Sequence, residues 1–194
     1  MTNTHLYGHT KDVTAMKSRG LFKGFTLIEL IIVIAILGIL AAVVLVALDP
    51  LEQFARARDA GRKSSVDQLG HAVLAYFTSQ GSVYPPEGNL WMTTGIAGGN
   101  TGLQASGELK AIPPPITPAC SNNAFAQNGY CFEQNGVDAV IYVQGESKSE
   151  MTRAKCTAGQ VVWIVWDTVE GKTGAMCTDG ATIYPQVGQN LNLQ

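Results

Sequence analysis

Glu29 is the one ionisable side chain in the stretch LIELIIVIAILGILAAVVLVAL that runs from Leu27 to Leu48. An ionised carboxylate in such surroundings costs on the order of a few kcal/mol unless a cation pairs with it, which makes Glu29 a candidate functional residue by default. Four cysteines, at 120, 131, 156 and 177, are the other reactive groups. They lack the paired short spacings that zinc sites use, so they read as disulfides. Three pairings are open; pairing in sequence order joins Cys120 to Cys131 and Cys156 to Cys177, each bridge adding about 2–4 kcal/mol. Catalytic chemistry has little to work with. His71 is the only histidine beyond residue 24, no Ser-His-Asp set can be built around it, and Asp138, Asp167 and Asp179 are scattered. His71 reads as a helix-surface residue, with no partner at metal-ligand spacing. Gly171-Lys172-Thr173 resembles the end of a phosphate loop, but Trp166 stands where that motif needs its first glycine, so the tripeptide reads as a turn. No enzyme activity, metal or cofactor is expected.

Glu29 is positioned by an apolar run. Leu30 to Leu48 is 19 residues without a charge, and a helix of that length approaches the ~30 Å of a hydrocarbon core. Secretory signal peptides have shorter apolar regions of about 7–15 residues ending at a small-residue cleavage site. Before the run, Lys11, Lys17, Arg19 and Lys23 stand against Asp12 alone. The N-terminal segment is therefore expected in the cytoplasm and everything after Leu48 outside, with the cysteines in an oxidising compartment. Apolar residues make up 46% of the chain and charged residues only 14%, so part of the surface is expected to meet lipid or another subunit. Thirteen basic against fifteen acidic residues exclude a generally basic nucleic-acid binder. Beyond residue 24 the balance is nine basic to fourteen acidic, so strong general nucleic-acid binding is not expected.

Lys23-Gly24-Phe25-Thr26-Leu27-Ile28-Glu29, followed by the apolar run, resembles the N-terminal signature of type IV pilins and the pseudopilins of type II secretion. The likeness covers about residues 16 to 80 and is most specific over Gly24 to Ala42. It implies that a membrane prepilin peptidase cuts between Gly24 and Phe25 and methylates the new amine of Phe25, leaving a mature chain from Phe25 to Gln194. It further implies that Glu29 sets axial register by pairing with the N-terminal amine of an adjacent subunit. The chemistry agrees: glycine offers no side chain to obstruct a peptidase cleft, and cleavage frees a cationic amine. Glu29 and that amine, if buried, repay desolvation only with good geometry, which a subunit shifted along a filament can provide.

After Leu48 the pattern becomes one-sided. Leu51, Phe54, Val66, Leu69, Val73 and Phe77 follow three- and four-residue steps, and Arg56, Arg58, Asp59, Arg62, Lys63 and Asp67 form a charged face between them. Asp49-Pro50-Leu51-Glu52 reads either as the cap and first turn of a new helix or as a kink in one rod, and the kinked rod is the preferred reading. A rod over residues 25–78 would be about 80 Å long. The resemblance implies unwinding between Gly38 and Pro50 in a filament. Beyond Gln80, residues 95–107 read as a flexible loop. Residues 139–143 and 161–166 read as strands, with 174–177 as a hairpin partner. Trp163 and Trp166 point to opposite sides of their strand.

The expected fold is thus α+β and pilin-like: a long N-terminal helix, transmembrane then amphipathic, packed on a small antiparallel sheet. Its divisions are a cleaved leader at 1–24, a transmembrane half at 25–48, an amphipathic half at 49–80 and a disulfide-looped head at 81–194. The resemblance implies a structural subunit that polymerises with its own kind, served by the prepilin peptidase, an assembly ATPase and a membrane platform, and held in the bilayer beforehand. The mature form would be an extracellular pilus. A type II secretion pseudopilin is the alternative, although the calcium-binding D-x-D-x-D-G pattern of its major form does not occur here; another is a minor pilin in adhesion or DNA uptake. A leader of 24 residues is long for a phenylalanine-first pilin. Starting at Met16 gives the nine-residue leader MKSRGLFKG, leaving residues 1–15 untranslated. Mass spectrometry of uncleaved precursor from a peptidase-deficient strain should show Met16 first, and any species containing His5 would refute that start.

Overall fold

In this computed structural model residues 24–93, 102–120, 126–180 and 184–187 are described; the leader up to Lys23 lies outside them. The chain divides into two compact units between Leu48 and Asp49. The first contains α1 (Leu27–Leu48), in which none of the 22 residues is buried. Leucine, isoleucine, valine and alanine occupy every side of this helix, so it has no polar face to turn outward.

The second unit opens at Asp49, whose backbone is left-handed at φ 39° and ψ 70° and whose carboxylate accepts the Glu52 N–H at 3.4 Å. Pro50 follows as the first residue of α2 (Pro50–Ser79), a position where its missing N–H costs nothing. Helix therefore runs on both sides of a single non-helical residue, and Asp-Pro-Leu-Glu occupies cap and first turn.

Five strands form one antiparallel sheet in chain order: β1 (Ala126–Gln127), β2 (Tyr130–Gln134), β3 (Ala139–Gln144), β4 (Gln160–Asp167) and β5 (Lys172–Asp179). A short helix, α3 (Lys148–Arg153), connects β3 to β4. Both faces of the sheet are covered, which is why β3 and β4 are apolar at nearly every position. On one face Phe132, Ile141, Ile164 and Trp166 pack with Val66, Leu69, Val73 and Tyr76 of α2. On the other, Cys131, Val140, Tyr142, Trp163 and Val165 lie beneath Tyr184 and Val187. The two tryptophans thus separate to opposite faces, as the two-residue period requires. Trp163 meets Tyr142 and Tyr184 edge-on at ring distances of 5.6 and 5.7 Å. The cysteines pair in sequence order: Cys120–Cys131 is buried under this second face, and Cys156–Cys177 ties the segment after α3 to β5. Gly171-Lys172-Thr173 makes the turn into β5, with Gly171 at φ 62°.

Three features depart from the sequence reading. The β1–β2 hairpin was not expected. The expected flexible loop at 95–107 lies outside the described residues up to 101, and its remainder is packed: Leu103 is fully buried and donates its N–H to the Trp91 carbonyl at 3.0 Å. The inner face of α2 also mixes apolar with charged residues. Asp59 and Arg62, expected on a solvated face, are buried, whereas Leu51 and Phe54 are 77% and 63% exposed.

Close approach of α2 to the sheet depends on Gly70. A Cβ placed there would stand 2.2 Å from the Trp166 indole. Helix propensity alone makes Gly70→Ala stabilising by about 1 kcal/mol, whereas overpacking costs about 1–3 kcal/mol and should win because a buried ring cannot step aside. Chemical denaturation of Gly70→Ala should show a net loss of stability, and a gain would show that the contact is looser than its geometry indicates.

Candidate functional site

The N-terminal site is built around a helix cap. Thr26 Oγ1 accepts the Glu29 N–H at 3.3 Å, and the Thr26 carbonyl accepts the Leu30 N–H at 3.2 Å. Thr26 is thus the N-cap of α1 and Glu29 its third residue, the spacing of a capping box. Gly24 and Phe25 precede the cap in non-helical backbone; Phe25 is 77% exposed, and a Cβ on Gly24 would touch nothing within 4 Å. The bond between them therefore lies outside the helix ladder, with both residues exposed. Glu29 is exposed in the first turn, where unpaired N–H groups and the helix dipole favour a negative charge. The structure brings Gly24, Phe25 and Glu29 within one turn and a half of chain. Sequence reasoning overlooked Thr26, although Thr-x-x-Glu ahead of an apolar run was its available signal.

His71 is exposed on α2, with Nδ1 2.8 Å from the Asp67 carbonyl oxygen. Among the described residues no group of three or more His, Cys, Asp or Glu side chains could hold a metal ion.

A second constellation, also unforeseen, fastens α2 to the segment joining β3 and α3. Asp59 accepts the Ser147 N–H at 2.7 Å and the Glu146 N–H at 3.0 Å, and takes a hydrogen bond of 2.8 Å from Arg62 Nη1. Arg62 Nη2 donates to the Thr117 carbonyl at 2.5 Å and also pairs with Glu146, whose other oxygen receives Arg58 Nη2 at 2.6 Å. Glu52 accepts the Lys148 and Ser149 N–H groups at 3.1 and 3.2 Å. Two carboxylates of α2 thereby satisfy backbone donors at the start of α3 that its own ladder cannot. The Lys148 N–H, then the Arg56 guanidinium, hold the Glu52 carboxyl below its ordinary range. Burial pushes the Glu146 carboxyl up, but hydrogen bonds and charges from Arg62 and Arg58 outweigh it and leave a net lowering.

An uncovered apolar helix behind a Gly-Phe-Thr-x-x-Glu start, ahead of an antiparallel sheet, defines a pilin-like layout. Residues 20–45 match the family model of the prokaryotic N-terminal methylation motif. That match supports the type IV pilin and pseudopilin class, whose members are normally structural and are processed and polymerised by pilus-type machinery. The motif and α1 together fit a membrane-anchored precursor. No curated protein and no solved structure matches the chain.

Removing Arg62 leaves Asp59 buried without its cation, so Arg62→Met should cost about 3–5 kcal/mol in chemical denaturation. Glu52 and Glu146 have depressed values in the folded state, so the stability they add is fully present above the ordinary carboxyl value of 4.5 and fades as pH falls through their lowered values. NMR of the Lys148 and Ser149 amides during acid titration should show their bonds to Glu52 retained at pH 4.5 and lost below it; loss of those bonds above pH 4.5 would contradict the assignment.

Proposed function

We propose that this chain is a structural subunit of a type IV pilus filament. The observation that supports this best is the methylation motif leading into a helix with no buried residue. An α1 with no buried residue suits two successive environments, a bilayer and then a bundle of like helices. In this reading a prepilin peptidase cuts between Gly24 and Phe25 and methylates the amine of Phe25. An assembly ATPase and a membrane platform then draw the subunit from the bilayer into a homopolymer. The leader faces the cytoplasm, and the sheet and its two disulfides lie outside.

Glu29 is the residue on which polymerisation turns. Cleavage places a cationic amine on Phe25, and the Thr26 cap fixes the first turn so that Glu29 leaves the helix at a defined angle. In a subunit entering the polymer, the carboxylate pairs with the amine of a neighbour shifted along the axis. The pairing offsets desolvation of both charges only at the correct shift, and so selects register. Thr26 serves this role indirectly by ordering the backbone that presents Glu29.

The test is a comparison of Glu29→Ala with wild type in two assays. Peptidase processing should proceed in both, as read by loss of the leader on mass spectrometry, while sheared extracellular filaments should be recovered only from wild type. Normal filament yield from Glu29→Ala would end the assignment of register to this carboxylate. Abundance in that fraction separates a major subunit, which dominates it, from a minor pilin or a secretion pseudopilin.

A further inference from the structure

A cleft of about 350 Å³ opens on the flank of α2, between Arg58, Gly61 and Arg62 and the segment Pro114 to Thr117, with Tyr130 also in its lining. A cavity of about 150 Å³ is enough to take a benzene ring, so this one has room for an aromatic side chain. Its lining suits one: proline rings and a tyrosine supply flat apolar surface, and two guanidinium groups supply cations for a ring face.

We propose that this cleft receives Phe54 of a second copy of the chain, an inference that rests on the polymerising reading above. Among the described residues the aromatic side chains classed as exposed are Phe25 and Phe54. Phe25 is the residue assigned to carry the charged amine, which leaves Phe54 as the apolar knob. Arg58 and Gly61 follow Phe54 by four and seven residues on α2, so knob and cleft share one stripe of the helix and are offset by about 10 Å along it. A parallel copy displaced by that distance, and turned about its long axis so that its stripe faces this one, brings its Phe54 level with the cleft. The contact is heterologous, since each copy that fills a neighbour's cleft keeps its own open for the next, and repetition of such a contact extends a polymer without closing it. Gly61 keeps the mouth clear, because a Cβ there would meet nothing within 4 Å.

The test uses the full chain in a cell that assembles its filaments. With p-benzoylphenylalanine at position 54, irradiation of filaments should give covalent dimers whose adducts map to Pro114–Thr117 or Tyr130 of the other copy. Gly61→Phe, which plugs the cleft and gains helix propensity, should be processed normally and keep both disulfides on peptide mapping, yet lower sheared filament yield by about tenfold or more. Adducts at other surfaces, or wild-type yield from Gly61→Phe, overturn the cleft assignment while leaving the pilin reading intact. Absence of wild-type chain from sheared filaments overturns both.

Discussion

The apolar surface of α1 is the constraint from which everything else follows. Burying one leucine, isoleucine or valine side chain is worth about 1.5–3 kcal/mol, and the chain buries none of those between Leu27 and Leu48. Their sum is tens of kcal/mol, larger than the ~5–15 kcal/mol by which a whole domain is typically stable. No rearrangement of the head could compensate for leaving that surface in water. The helix is therefore committed to partners, lipid or protein. Against this background a single carboxylate at Glu29 is expensive in either environment. Its place three residues after the Thr26 cap puts it where the free N–H groups of the first turn make a negative charge least unfavourable.

The head has the complementary task of holding α2. It does so with two different kinds of contact along one helix. Towards the C-terminal end the contact is steric: Gly70 lets the Trp166 indole lie against the backbone, and Val66, Leu69, Val73 and Tyr76 complete an apolar seam. Towards the N-terminal end it is polar, because the segment there opens α3 and carries backbone N–H groups that need acceptors. Asp59 and Glu52 meet that need, and Arg62 neutralises the buried Asp59 while reaching the Thr117 carbonyl. Buried ion pairs are poor evidence for net stability, since an apolar replacement of similar volume often does as well. What this one does is fasten: Asp59 and Glu52 together hold the backbone N–H groups of residues 146–149 against α2.

The legible parts were those in which one local signal decides. The apolar run, the Gly-Phe start, the disulfide-forming cysteines and the strands around Tyr142 and Trp163 are of this kind, because length, glycine and β-branching act over a few residues. The separation of Trp163 and Trp166 needed nothing more than the two-residue period. Local signals failed where a distant segment changed the environment of a residue. Asp59 and Arg62 carry the charge of a solvated face, and only the return of the chain at Glu146 and Thr117, more than fifty residues on, makes burying them acceptable. Residues 102–107 look loop-like in composition, yet they pair with the backbone at Trp91 to Thr93 and seat Leu103 in the core. The β1–β2 hairpin was hidden because Tyr130 to Gln134 has a strand-like centre but only two partner residues in β1. Thr26 was a different sort of omission: its signal was local, and the interest of Glu29 as a charge obscured its role in a cap.

The N-terminal half of α2 departs from the usual order of an amphipathic helix, and that departure bears on what its outer face can do. In a helix made for water, charges point outward and apolar residues inward. Here Glu52, Asp59 and Arg62 are turned in beside Ala55 and Val66, whereas Leu51, Phe54, Ala57, Ala60, Gly61 and Ser64 are exposed along with Gln53, Arg56 and Arg58. Small residues on a helix surface let another backbone come close, and large apolar ones supply surface worth burying, so the combination suits a partner better than it suits solvent. The inward charges then have a second consequence. By satisfying the segment at Glu146 to Ser149 they hold three charges away from the outer face, where Arg56 and Arg58 remain beside Leu51 and Phe54. On the proposed filament reading, a subunit has to be stable alone and present surface to its own kind, and the inward cluster of Glu52, Asp59 and Arg62 serves the first need while keeping three charges off the surface that carries Leu51 and Phe54.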